Sequence, residues 1–173
     1  GFAGEDGEGF ELWRALERRP GVRLEHFIET IQRRTFTYCK PLVVGPNQAP
    51  VELNRLDLKN WTPTPALLQG LLAGRLKSVG GEINVLIILD QVDVPETGVV
   101  THRVLEAVKD LAGQRPDLVI LADSRRGLRG FPPVTFKMNA AELSTLMGTA
   151  GALSLEQIKE AAAELARRTG QRV

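Results

Sequence analysis

The spacing of apolar residues changes several times along the chain, and each change marks a new element. In FELWRALERR, Phe10, Trp13 and Leu16 recur every three residues, which predicts a helix with one apolar face. Pro20-Gly21 ends it. From Arg34 to Asp57 the pattern changes. RTFTYCKPLVV and APVELNRLDL are rich in β-branched and aromatic residues and flank the turn residues GPNQ, so two antiparallel strands are expected. In the second strand, Val51, Leu53, Arg55 and Asp57 alternate with Glu52, Asn54, Leu56 and Leu58. Neither face is cleanly apolar, which suits a flap or an interface layer better than a central core.

In TPTPALLQGLLAGRLK, Thr64 is expected to cap a helix and Pro65 to take its first position, with Leu68, Leu72 and Leu76 on one face. NVLIILD is then a continuous apolar run closed by Asp90. THRVLEAVKDLAG follows with the helical face Val104, Leu105, Val108 and Leu111, and DLVILAD is a second apolar run closed by Asp123. Two apolar strands around one helix predict a βαβ unit with parallel strands buried on both faces. SLEQIKEAAAELARR ends the pattern, with Ser154 and Gln157 as a capping box and Ile158, Ala161, Ala162 and Leu165 as the packing face. A further buried strand would be expected after it. The fold class is therefore α/β, a layered structure with parallel central strands and a protruding antiparallel flap, in a chain of one-domain length.

Charge and composition narrow the function. Lys plus Arg number 22 and Asp plus Glu 21, so the net charge of +1 leaves no electrostatic footprint for a nucleic acid. The single cysteine, Cys39, excludes an internal disulfide and suits a reducing compartment, so a cytoplasmic location is expected. No apolar run approaches the roughly 18 residues of a membrane span, and the start has no signal-peptide pattern. The chain lacks an initiator methionine and opens in GFAGEDGEG, where four of nine residues are glycine, so a piece of a longer protein is expected. Such a turn before a helix can cradle phosphate. Here Glu5, Asp6 and Glu8 would repel it, which favours a plain tight turn.

Ligands of open α/β sheets bind beyond the carboxyl ends of the strands, where Asp90 and Asp123 stand. Each carboxylate either touches a ligand or serves the structure by capping the next helix or binding backbone. Arg125, Arg126 and Arg129 form either a solvated loop or a site for an anionic substrate, since guanidinium forks match phosphate oxygens. Asn139 and Glu142, three apart at a helix start, are either a capping pair or hard-oxygen ligands for a hydrated Mg²⁺. His26 and His102 are isolated and Cys39 has no partner in sequence, so none receives a catalytic role.

Together these segments resemble the ribokinase-like PfkB family of carbohydrate kinases. GFAGEDGEGFELWRALERRPGV is similar to its G-x-x-G-x-D-x-x-G segment. Arg33/Arg34, Thr35, Thr37, Asn47, Gln48, Arg55 and Asp57 match the lid strands of the heptose-phosphate kinase (ADP-heptose synthase) branch. Asp123, Arg125, Phe131, Asn139 and Glu142 fall on its D-P-K…Y-x-G…P-N-x-x-E segment. Ser124 and Met138 stand where that segment has proline, and Gln91 departs from the branch's D-Y-x-K-G. The family's glycine-rich sugar signature and its D-T-x-G-A-G-D motif, source of the catalytic base, have no counterpart in these residues.

The resemblance implies a ribokinase-like three-layer sandwich with a small antiparallel lid over about residues 34–58, all belonging to a partial kinase domain over 1–173. It implies ATP and Mg²⁺ as cofactors, with Asn139 and Glu142 organising the metal and the phosphates. Asp90, Arg34, Asp123 and Arg125 are its candidates for contact with a sugar or sugar phosphate. It implies phosphoryl transfer from ATP to a sugar hydroxyl in the parent protein, with the 173 residues inactive alone. A homodimer through the lid strands is expected, and neither a nucleic acid nor a membrane is an expected partner. The alternative is a non-catalytic sugar- or nucleotide-binding regulator on the same fold.

Overall fold

The computed structural model describes residues 1–149, 151–171 and 173, and the chain divides between Thr62 and Pro63 into two units. Its fold is mixed α/β, with several small parallel and antiparallel sheets.

In the first unit, strand β1 (Phe2–Gly4) leads into helix α1 (Gly7–Glu17), and β2 (Ile28–Thr30) returns parallel to β1, Phe2 opposite Ile28 and Gly4 opposite Thr30. The opening glycines, expected as a turn alone, thus contain a strand, and the turn shrinks to Glu5 and Asp6. Gly9 is required there: a Cβ on it would lie 2.0 Å from the carbonyl oxygen of Gly4. The expected apolar face of α1 is shorter than its spacing suggested. Phe10 is 57% exposed, while Trp13 packs on Phe27 with ring centroids 5.8 Å apart.

The flap is an antiparallel hairpin in two pieces. Strand β3 (Thr37–Cys39) pairs with β6 (Leu56–Leu58), and β4 (Leu42–Val43) pairs with β5 (Val51–Glu52). Cys39 is opposite Leu56 and Leu42 is opposite Glu52. Lys40 and Pro41 therefore face Leu53, Asn54 and Arg55, a bulge of one extra residue on the returning strand. Pro41 has no N–H to give the ladder, but its carbonyl accepts from Leu53 N at 2.9 Å. The bulge breaks the continuous alternation expected from Val51 to Leu58, because a one-residue slip exchanges the faces.

In the second unit, α2 (Ala66–Val79) precedes β7 (Val85–Asp90), α3 (His102–Gln114), β8 (Val119–Ser124), β9 (Thr135–Phe136), α4 (Ala140–Met147) and α5 (Leu155–Thr169). The sheet order is β7-β8-β9, all parallel, with Val85 opposite Val119 and Asp90 opposite Ser124. The expected βαβ unit and the Ser154–Gln157 capping box are both present. Thr64 does not cap α2. It is 2% exposed and its hydroxyl donates to Gly98 O at 2.7 Å, so Pro65 takes the cap position without a side-chain bond.

Ile88, Ile120, Ala122 and Phe136 pack with Val108 and Leu111 of α3, Leu143 of α4 and Leu165 of α5 in one core. The strands are not buried on both faces as expected. Val85, Ile87, Leu89 and Val119 are 52–58% exposed, because this core lies on one side of the sheet. A continuous apolar run carries no periodicity to distinguish the two cases.

Candidate functional site at the carboxyl edge of the parallel sheet

The last rung of the β7–β8 ladder pairs Asp90 with Ser124, and both side chains are 2% exposed or less. An isolated buried carboxylate would be costly. Asp90 Oδ2 instead accepts from Ser124 Oγ at 2.9 Å and from Arg126 Nη2 at 2.6 Å. Its backbone oxygen accepts from Arg125 N at 2.9 Å. Ser124 Oγ in turn accepts from Arg126 N at 3.2 Å. Asp90 thus holds the start of the arginine loop by main chain and side chain together. Gly127 and Gly130, with φ of 85° and 84°, supply the left-handed positions of two turns in this loop, closed by Gly127 N to Ser124 O and Phe131 N to Leu128 O.

Asp123, one residue earlier on β8, accepts from Lys137 Nζ at 2.9 Å. That bond, reinforced by the charges of Asp123 and Glu142, holds the Lys137 ammonium above its ordinary range. Arg125 reaches Asp93 at 3.6 Å, with both side chains more than 40% exposed. An ion pair of that kind contributes about 0–1 kcal/mol. Arg129 is exposed and has no ion pair or side-chain hydrogen bond among the described residues.

Asn139 has extended backbone (φ −86°, ψ 171°) and caps α4: its Oδ1 accepts from Glu142 N at 2.9 Å, and Asn139 N donates to Glu142 Oε2 at 2.7 Å. The capping alternative is therefore present, and each side chain already has a structural task. Met138 stands where the resembling motif has proline, and the preceding Lys137 N donates to Ala122 O at 2.9 Å. Arg125, Arg126, Arg129, Asn139, Glu142 and Thr145 line one cavity of about 280 Å³. The structure thus brings Arg125, Asn139 and Glu142 together. Asp90 meets the lining through Arg126, and Asp123 is engaged by Lys137. A larger hollow of about 700 Å³ lies by Leu118, Ile120 and Arg167 at the amino ends of the strands, away from the edge where α/β sheets hold ligands.

Arg34 belongs to the first unit. Its Nε lies 3.8 Å from Asp6 Oδ2, and Asn60 brackets its backbone, accepting from Arg34 N at 3.1 Å and donating to Arg34 O at 2.8 Å. Asp6 is the residue missed in the sequence. Its carboxylate caps α1 by accepting from Gly9 N at 2.8 Å, and it accepts from Thr35 N at 2.9 Å and Thr35 Oγ1 at 2.7 Å. Burial pushes this carboxyl up, but the bonds from Thr35 and Gly9 and the Arg34 charge outweigh it and hold it below its ordinary value. The signal was present as Asp three residues before Gly9, but the acidic glycine-rich context pointed to a solvated turn. His102 donates its backbone N–H to Glu96 at 2.8 Å, and Cys39 is exposed. Among the described residues, no group of three or more His, Cys, Asp or Glu could hold a metal, and no helix is long and apolar enough to cross a membrane.

Neither a family model nor a curated protein matches the chain. A solved structure described as "Crystal Structure of Sa239" is similar in fold, with a TM-score of 0.60 at 11% identity. The likeness covers 96% of this chain and 50% of that one, so the chain spans about half the length of that structure. At this identity the likeness shows a shared α/β fold and nothing of its chemistry.

Proposed function

We propose that this chain is part of a ribokinase-like sugar kinase that transfers the γ-phosphoryl group of ATP to a sugar or sugar-phosphate hydroxyl, and that the cavity beside the arginine loop receives phosphate. The observation that carries this reading is the convergence of Arg125, Arg126 and Arg129 with Asn139 and Glu142 on that cavity. Arg126 is held by Asp90 and Arg125 is shared with Asp93, which leaves Arg129 the cation of the lining without an ion pair among the described residues, a guanidinium suited to a phosphate group.

Magnesium fits the donor set in a limited way. Glu142 Oε2 is engaged by Asn139 N, which leaves its second oxygen to hold the ion, and Asn139 fixes the carboxylate's direction. Bound there, the metal would neutralise charge on the nucleotide phosphates. Arg125 would meet an anionic group of the substrate, and Asp90, Asp123 and Arg34 remain candidates for the sugar side. Exposed Leu42, Val43, Val51 and Leu56 on the flap support its pairing with a second copy.

A second reading, binding without turnover, is favoured by one observation: Glu142, the carboxylate that lines the cavity, is committed to the capping box. Thermal-shift measurements with Mg-ATP and a panel of sugar phosphates test both. A rise in melting temperature is expected, since a ligand at a hundred times its Kd stabilises by about 2.7 kcal/mol. No shift with any of them would overturn the proposal. Binding by the parent protein without product formation would favour the second reading.

A further inference from the structure

The three arginines of the loop are chemically unequal. Arg126 is committed to the buried Asp90 carboxylate at 2.6 Å, a charge that would be left without its cation if Arg126 turned to a ligand. Arg125 is shared with Asp93 at 3.6 Å. Arg129 lines the same cavity between the two left-handed glycines Gly127 and Gly130 and has no ionic partner among the described residues. Leu128, beside it, is 4% exposed and sits in the core, so the loop segment that presents Arg129 is anchored rather than free. A cation on an anchored loop, lining a cavity and without an ion pair or side-chain hydrogen bond among the described residues, breaks no such bond when it binds an anion.

We infer that Arg129 is the principal anion-binding residue of this cavity, its ligand the terminal phosphoryl group of a phosphate ester or polyphosphate, with Arg126 a structural member of the loop and Arg125 an auxiliary cation. This rests on the phosphate-binding reading of the cavity and deepens it. A guanidinium can donate two parallel N–H bonds to two phosphate oxygens, so Lys in its place would keep the charge and lose the fork.

Calorimetric titration of the chain with inorganic pyrophosphate, and separately with Mg-ATP, tests it in the wild type, Arg129→Gln, Arg129→Lys and Arg125→Gln. Both substituted positions are exposed, so the fold is kept. Arg129→Gln is expected to weaken pyrophosphate at least tenfold, Arg129→Lys by an intermediate factor, and Arg125→Gln by no more than about threefold. Equal affinity in wild type and Arg129→Gln, or a larger loss in Arg125→Gln, overturns the assignment while leaving the phosphate-binding reading intact. Failure of the wild type itself to bind either probe overturns that reading and the assignment with it.

Discussion

Ser124 Oγ donates to Asp90 Oδ2 at 2.9 Å across the last rung of the parallel ladder, and neither side chain is more than 2% exposed. The serine occupies the place of a proline in the resembling motif, and a proline could make no such bond. Ser124→Ala should cost about 1–2 kcal/mol, since it removes a donor from a buried charged acceptor. Asp90→Ala should cost roughly 3 kcal/mol, the low end for breaking a buried pair, because Arg126 keeps 26% of its side chain in solvent. Urea unfolding of the two variants checks the order. A Ser124→Ala variant as stable as wild type would mean that the rung does not hold the loop.

Ile87 and Ile88 are sequence neighbours on opposite faces of β7, 57% and 7% exposed. Ile88→Ala should destabilise by about 2–4 kcal/mol through the cavity it leaves. Ile87→Ala should change stability by less than about 1 kcal/mol. Similar losses at both positions would show the outer face covered.

Asp6 gives the first unit an acid limit. Its carboxyl is held below the ordinary 3.8, so its contribution is complete above that value and fades as pH falls through the lower folded value. Asp6→Ala should cost about 1–2 kcal/mol as a lost helix cap. Asp6→Asn keeps a capping oxygen and should flatten the acid side of the stability curve. Amide exchange at Gly9 and Thr35, the two backbone donors to Asp6, reports it locally. Unchanged protection at both amides in Asp6→Ala would sink this account.

Glu142→Gln separates the two tasks of the α4 cap. Glutamine at this position can still complete a capping box, so stability should stay within about 0.5 kcal/mol. The carboxylate charge is gone, so magnesium-dependent ATP affinity should fall about tenfold. A variant that loses stability and keeps the magnesium dependence would leave Glu142 a capping residue alone.

The βαβ unit, from two apolar runs around an amphipathic helix, and the Ser154–Gln157 box were legible in the sequence. Three things were not. The bulge opposite Lys40 and Pro41 depends on pairing, which the alternation of one strand does not contain. The exposure of Ile87 and Leu89 depends on which side of the sheet the helices pack, and Thr64 turned from capping to burial because Gly98 O offered a partner 34 residues away. At the site, the residue types at the strand ends could be read. The unequal commitment of the arginines could not, because Asp90 and Arg126 meet only when β7 and β8 lie side by side.

The most direct test of the cavity is an amide NMR titration of the chain with Mg-ATP. The account predicts saturable shifts concentrated at Arg125–Gly130 and Asn139–Glu142. Saturable shifts centred instead on the hollow at Leu118, Ile120 and Arg167, or none at millimolar ligand, would contradict it.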